Sequence, residues 1–419
     1  MGKKKVTRYA AVVAGLTLFL AGCGGDDANE AASDDPTAVE GNVLFWTYPI
    51  GVSGEDGFWD PIIAEFNEQY PNVEIEVVVQ PFQKREETLV TAIAGNQAPD
   101  VVYLNPNYIP RFGGDNLLEP VGDLVDDEFN DAAVDSMTWD DEVYSVPLLM
   151  QIFQSVCNTA VLDAAGVDTC PETWDQLKEI APAVKDAGFY PTHYEGALGV
   201  TLTQTFYPYL WQAGGEVLNE DGTEAAFNSP EGVKALEFLA EFASNEWISA
   251  RSLTVLDPFE QTPSGKGETA YLPSTSLTSL RGVGLDETIE VVPPLKDVEQ
   301  VAAGSVGGLS IMSSSEVKPA ARAWVEFMTS AEQMGSFVQA TGYFPARDSI
   351  TGLFDDDPKF ADGQQYLHLV RAGIGHPEEL AITDLISPHV QAALLGRVSP
   401  ADALAAAETE VNDLLARRG

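Results

Sequence analysis

The chain has 419 residues, and its 65 Asp and Glu against 22 Lys and Arg give a formal net charge of −43. That balance argues against nucleic acid or an anionic membrane surface as a partner. The acidic residues are spread along the chain, so they describe a solvated surface rather than a site for a cation.

The first residues read as an export signal. Lys3, Lys4, Lys5 and Arg8 precede an apolar run over 10–21 (AAVVAGLTLFLA), which is shorter than the ~20 residues a membrane span needs. The run ends in Leu20-Ala21-Gly22-Cys23, which resembles a bacterial lipobox. The resemblance implies removal of residues 1–22 and lipidation of Cys23, so that the membrane is met only through an N-terminal lipid. Residues 23–41 are small and acidic, too poor in large apolar groups to fold, and are expected to form a disordered tether. The remaining body exceeds the ~250–300 residues that one core usually supports, so two domains are expected.

Along the body, residues 43–48 (VLFWTY) form a buried-strand pattern. In 59–70, Trp59, Ile62, Ile63 and Phe66 recur at helical spacing, and Pro71-Asn72 ends the helix. A strand over 73–79, a helix over 84–94 closed by Gly95, and a strand over 100–104 follow. Alternation of this kind predicts a parallel α/β sheet. Residues 139–147 read as a hairpin turning at Asp140-Asp141. Thr173 with Gln176 forms a capping box, and Ser229-Pro230 opens a helix. Residues 291–294 (VVPP) read as a short strand broken by proline, 320–328 and 330–340 as amphipathic helices, and Ser399-Pro400 as the start of a last one. Cys157 and Cys170 suit an extracytoplasmic disulfide; two buried free thiols are the other reading.

Several segments, in order, resemble the extracellular solute-binding proteins of ABC importers, in the cluster that includes the maltose-binding proteins. They are Phe45-Trp46, Glu65-Phe66, Pro71-Asn72, Ala94-Gly95 with Ala98-Pro99-Asp100-Val101, Tyr144 to Pro147, and Gly166. They continue with 171–177 (PETWDQL), 212–215 (QAGG), 307–311 (GGLSI) and 342–347 (GYFPAR). Cys157 departs from the tyrosine usual before Asn158. The resemblance implies a two-lobe α/β fold with the ligand in the cleft between lobes. Lobe one is residues 42–150 plus 295–343, and lobe two is 151–294 plus 344–419, with Pro147, Pro293-Pro294 and Pro345 at the crossovers. It also implies a monomer that closes on a saccharide outside the cell and delivers it to ABC permease subunits.

A sugar presents C–H patches that aromatic faces cover, and hydroxyls that planar amides satisfy. Trp46, at the end of the first strand, either stacks on ligand or packs in the core. Asn105 and Asn107 follow the third strand. Gln151 is a polar residue inside LLMQIF, and Gln83 opens the second helix. From lobe two, Gln204, Tyr207 and Trp211 precede the Gly214-Gly215 turn. Ser274 and Ser276 stand where the family has a glycine-rich stretch, Gly308 offers close backbone approach, and Tyr343 lies near the last crossover. Arg281 and Arg347 either meet an acidic ligand or belong to the surface. A polyol, a sugar phosphate, a compatible solute or a quaternary amine in an aromatic cage are the rival ligands, and an extracellular glycoside hydrolase or an adhesin the rival functions. No G-x-S-x-G, H-E-x-x-H or P-loop motif occurs, and His193, His368, His376 and His389 lack ligand spacing. No metal, cofactor or catalytic set is therefore expected.

Overall fold

The computed structural model describes residues 35–82, 84–198, 200 and 202–418. The signal at 1–22, Cys23, most of the tether and Gln83 lie outside the described residues. The tether expected through residue 41 gives way earlier to order. The Asp35 carboxylate accepts from Thr37 N at 3.0 Å and caps a short turn over Pro36–Ala38.

Strands β1 (Gly41–Thr47), β2 (Val73–Val79) and β3 (Val101–Leu104) are parallel, with β1 between the other two. Helices Asp60–Gln69 and Arg85–Ala94 connect them. Phe66 is fully buried between helix and sheet. The hairpin β4 (Thr138–Trp139) and β5 (Glu142–Val143) turns at Asp140 (φ 52°) and Asp141 (φ 64°). Both residues are left-handed, as a two-residue hairpin loop requires.

Then come β6 (Val146–Ile152), β7 (Gln154–Asn158), β8 (Tyr190–Thr192), β9 (Thr269–Thr275), β10 (Ile289–Val292), β11 (Ala302–Ile311), β12 (Phe344–Pro345) and β13 (Val370–Arg371). The large sheet runs β12-β6-β11-β3-β1-β2, with β13 paired to β11. The small one runs β10-β7-β9-β8. The large sheet is mixed, not wholly parallel as the first elements suggest. β11 enters it from the small sheet's side and runs antiparallel to both β3 and β6.

The chain leaves the large sheet at Phe153, between β6 and β7, and returns through Pro293 and Pro294, between β10 and β11. Pro147 is not at a crossing. It pairs with Gly308 beside a bulge at Gly307/Gly308, where the ladder is already broken and the missing N–H is tolerated.

Two apolar cores result. One gathers Phe45, Trp59, Phe66, Trp324 and Phe337 about the large sheet. The other gathers Trp174, Phe206, Trp211, Phe238 and Phe242 under the small sheet, closed by Leu404, Ala407 and Val411 of the last helix. The expected caps form. Thr173 Oγ1 accepts from Gln176 N at 3.2 Å, and Gln176 Oε1 accepts from Glu172 N at 2.7 Å. Ser229 caps Pro230–Ser244, Ser330 caps Ala331–Thr341, and Ser399 accepts from Asp402 N.

Cys157 of β7 and Cys170 are disulfide-bonded, with Cα atoms 6.2 Å apart. The bond ties the small sheet to the loop before helix Trp174–Asp186. Closing that loop restricts the unfolded chain by ~3 kcal/mol. Cys170→Ser is expected to lower the unfolding free energy by about that amount in urea titration, whereas an unchanged midpoint would show that the bond constrains nothing.

Candidate functional site

A cavity of about 300 Å³ lies between the two lobes, at the lower end of the size range of small-molecule sites. It opens at the C-terminal ends of the parallel strands, where open α/β sheets take ligands. Lobe one contributes Tyr103 and Asn105 from β3 and its end, Asn107 and Tyr108 from the following turn, Gln151 from β6, and Ser305 from β11. Lobe two contributes Gln204, Glu379 and Thr383, and Tyr343 lies on the rim.

The backbone of β11 makes the floor possible. A Cβ on Gly304 would run into the Gln151 carbonyl, and one on Gly307 into the Tyr103 ring. Asn105 then reads β11 directly: its Nδ2 donates to Val306 O at 2.8 Å and Ser305 Oγ at 3.1 Å. Its Oδ1 accepts from Arg85 Nη1 at 2.6 Å, and Tyr108 Oη accepts from Arg85 Nε at 2.7 Å. The guanidinium also lies over Tyr48, Phe82 and Tyr108, 5.5, 5.8 and 4.5 Å from their ring centroids. Burial pushes the Tyr48 hydroxyl up to about 12, against the pull of Arg85. Asn105 thus holds Arg85 and has little capacity left for ligand.

Asn107, Gln151 and Gln204 differ. Each lines the cavity, and none has a side-chain hydrogen bond among the described residues. Three neutral amides converge on one space with both donors and acceptors free.

Arg85 and Glu379 are the two charged residues among the described lining. Glu379 is 6% exposed, and its carboxylate accepts from Ile374 N at 3.2 Å. Burial outweighs its backbone hydrogen bonds and pushes its pKa up to about 7.

Of the residues expected at the site, Asn105, Asn107, Gln151, Gln204 and Tyr343 meet at the cavity. The others lie elsewhere. Trp46 faces helix Arg85–Ala94 in a shallow depression with Thr88 and Gln97, because strand alternation turns it away from the cleft. Tyr207 is fully buried behind the wall, its Oη 3.3 Å from Thr383 Oγ1. Trp211 is buried under the Arg371 guanidinium, 4.4 Å from its ring, and Arg371 is held by Glu216 at 2.8 and 3.0 Å. Ser274 borders a small hollow of about 60 Å³ with Gln204 and Thr205. Ser276 precedes helix Leu277–Gly282, and Gly308 packs against Ser145 and Val146 inside the sheet. Gln83 lies outside the described residues. Arg281 is taken by Asp286 and Asp357, and Arg347 by Asp126 and Glu128.

Sequence reasoning missed Arg85 and Glu379. The signal for Arg85 was its place in the first turn of a helix, where the dipole disfavours a cation.

Residues 51–335 match the family described as bacterial extracellular solute-binding protein. The chain is 21% identical to the diacetylchitobiose binding protein DasA of Streptomyces coelicolor, over 97% of each chain. The sugar-binding protein MalE from Xanthomonas citri superposes with a TM-score of 0.80 at 20% identity, covering 90% of this chain and 98% of that one. The cyclic alpha-maltosyl-1,6-maltose binding protein from Arthrobacter globiformis gives 0.78 at 21%, covering 90% and 99%. At these identities the structural likenesses establish a shared two-lobe fold.

The raised pKa of Glu379 sets a pH dependence. From pH 4.5, its ordinary value, to about 7 the unfolded chain releases this proton before the folded one does. The group's stabilising contribution is therefore complete below that window and fades as pH rises through it. Glu379→Gln removes the term, so the stability of the native protein relative to this variant should fall from pH 4.5 to 7 in parallel denaturant titrations. A flat difference would place the carboxyl in a water-like environment.

Proposed function

The chain belongs to the bacterial extracellular solute-binding protein family, and from that premise we propose that it captures a saccharide in the interlobe cleft and delivers it to the permease of an ABC importer. The observation that carries the reading is the convergence of Asn107, Gln151 and Gln204, with their amides unpaired among the described residues, on one cavity between the lobes. A sugar hydroxyl donates and accepts at once, and a planar amide offers both functions without a charge. Tyr103, Tyr108 and Tyr343 supply ring surface around the same space.

The lobe built on the large sheet, which keeps Gln151 of β6 and Phe344–Pro345 of β12 with it, would move against the lobe built on the small sheet, hinged where the chain crosses between sheets. The importer would read the closed form. Removal of residues 1–22 and lipidation of Cys23 would hold the protein as a monomer outside the cell membrane, on the tether ahead of Asp35. Among the described residues no helix is long and apolar enough to cross a membrane.

Two rivals are less well supported. The aromatic group that a quaternary amine would need is filled by the Arg85 guanidinium, a fixed positive charge that repels such a ligand. A glycosidase of the usual kind needs two carboxyls flanking the bond, and Glu379 is alone among the described lining residues.

In a thermal-shift screen, a saccharide at about a hundred times its dissociation constant should add ~2.7 kcal/mol to stability. Gln151→Ala should weaken that ligand by about tenfold with an unchanged melting temperature of the free protein. Shifts from amino acids or betaines alone, with silence across sugars, would overturn the reading.

A further inference from the structure

We propose that the saccharide taken by this cleft carries a carboxylate, as a uronic acid unit does, and that Arg85 is the residue that selects it; the inference rests on the saccharide-binding reading above.

The argument begins with the pairing of charges. Acidic residues outnumber basic ones 65 to 22, so an arginine readily finds a carboxylate. Arg111, Arg251, Arg281, Arg322, Arg347 and Arg371 each do. Among the described residues the exposed Arg397 and Arg417 meet none, and neither does Arg85, which is half-buried and has two glutamates following it in sequence. Glu86 is drawn to Arg111 and Glu87 to Lys84. Local pairing has removed the nearby anions from the one arginine that lines the cleft.

What holds Arg85 is neutral. A phenol oxygen and an amide oxygen accept from Nε and Nη1, and three aromatic faces fix the guanidinium plane. These contacts orient the fork without cancelling its charge. Nη2 has no partner among the described residues. The half-buried cation is therefore an oriented, un-neutralised donor group, the arrangement that a carboxylate meets with charge-assisted hydrogen bonds.

The rest of the lining narrows the class. Asn107, Gln151 and Gln204 suit hydroxyls. No second cation lines the cavity among the described residues, so the doubly charged phosphate of a sugar phosphate would face Arg85 alone with Glu379 opposite. A single carboxylate matches a single guanidinium.

The test is calorimetric titration of the purified protein with matched pairs of oligosaccharides. Digalacturonate and a glucuronic-acid-containing disaccharide are each compared with the neutral sugar in which the carboxylate is reduced to the alcohol. The acid should bind about ten- to hundredfold more tightly than its neutral partner, and added salt should narrow the gap. Arg85→Gln should weaken the acid at least about tenfold more than its neutral partner and so abolish the preference, and Arg85→Lys should restore part of it. Melting curves of both variants establish that they are folded.

Equal or better binding of the neutral partner by the native protein overturns this inference and leaves the saccharide reading standing. Equal loss of both ligands in Arg85→Gln, matched by Glu379→Gln, overturns it in favour of an interlobe ion pair formed on closure. Silence toward every saccharide overturns the saccharide reading, and this inference with it.

Discussion

The cleft floor depends on the passage of β11 between β3 and β6 without side chains at Gly304, Gly307 and Gly308. The Tyr103 ring lies over Gly307, the Gln151 carbonyl closes on Gly304, and Ser145 and Val146 close on Gly308. With the strands this near, Asn105 reaches the Val306 carbonyl and the Ser305 hydroxyl, and so holds its own oxygen toward Arg85. A chain of short contacts thus runs from a glycine-bearing strand to the Arg85 guanidinium, the one cation among the described lining residues. Because β11 is also the strand through which the chain returns from the small sheet, the element that shapes the floor is continuous with a crossing between lobes.

Polarity is divided between surface and cleft. The exterior is strongly acidic, and Arg111, Arg251, Arg281, Arg322, Arg347 and Arg371 are tied to carboxylates. Among the described residues the cavity has neutral amides, tyrosines, one arginine, and one carboxyl whose burial raises its pKa to about 7. An un-neutralised charge is costly to bury unless a partner arrives. That cost makes Arg85 informative about what the cleft accepts, while the amides set the demand for hydroxyls.

Local features were legible in the sequence because they are encoded within a few residues. The caps at Thr173, Ser229 and Ser399, the Asp140-Asp141 turn, and the alternation of strand and helix from 43 to 104 all form. Gln151 stood out because a polar residue beside apolar ones lacks a packing role, Asn107 by its place after the third strand, and Gln204 by its place before the Gly214-Gly215 turn. The aromatic residues were harder. Phe45 and Trp46 are both large and apolar, so the parity that buries one and turns the other outward depends on pairing with β2 and β3. Tyr207 and Trp211 sit in a run of aromatics whose facing is set by helices Pro230–Ser244 and Glu379–Leu394, distant in sequence. Arg85 resembles a solvated helix residue until Asn105 and Tyr108 are brought to it by the fold. Glu379 reaches the cleft from a helix preceded by irregular chain, where periodicity carries no signal.

Small-angle X-ray scattering of the purified protein, with and without the saccharide that stabilises it, tests the central claim of ligand capture between two hinged lobes most directly. The account predicts a smaller radius of gyration at saturation, with the ligand concentration that gives half of the contraction raised about tenfold in Gln151→Ala. Saturating binding with an unchanged radius would contradict it, because a ligand gripped by both lobes must draw them together.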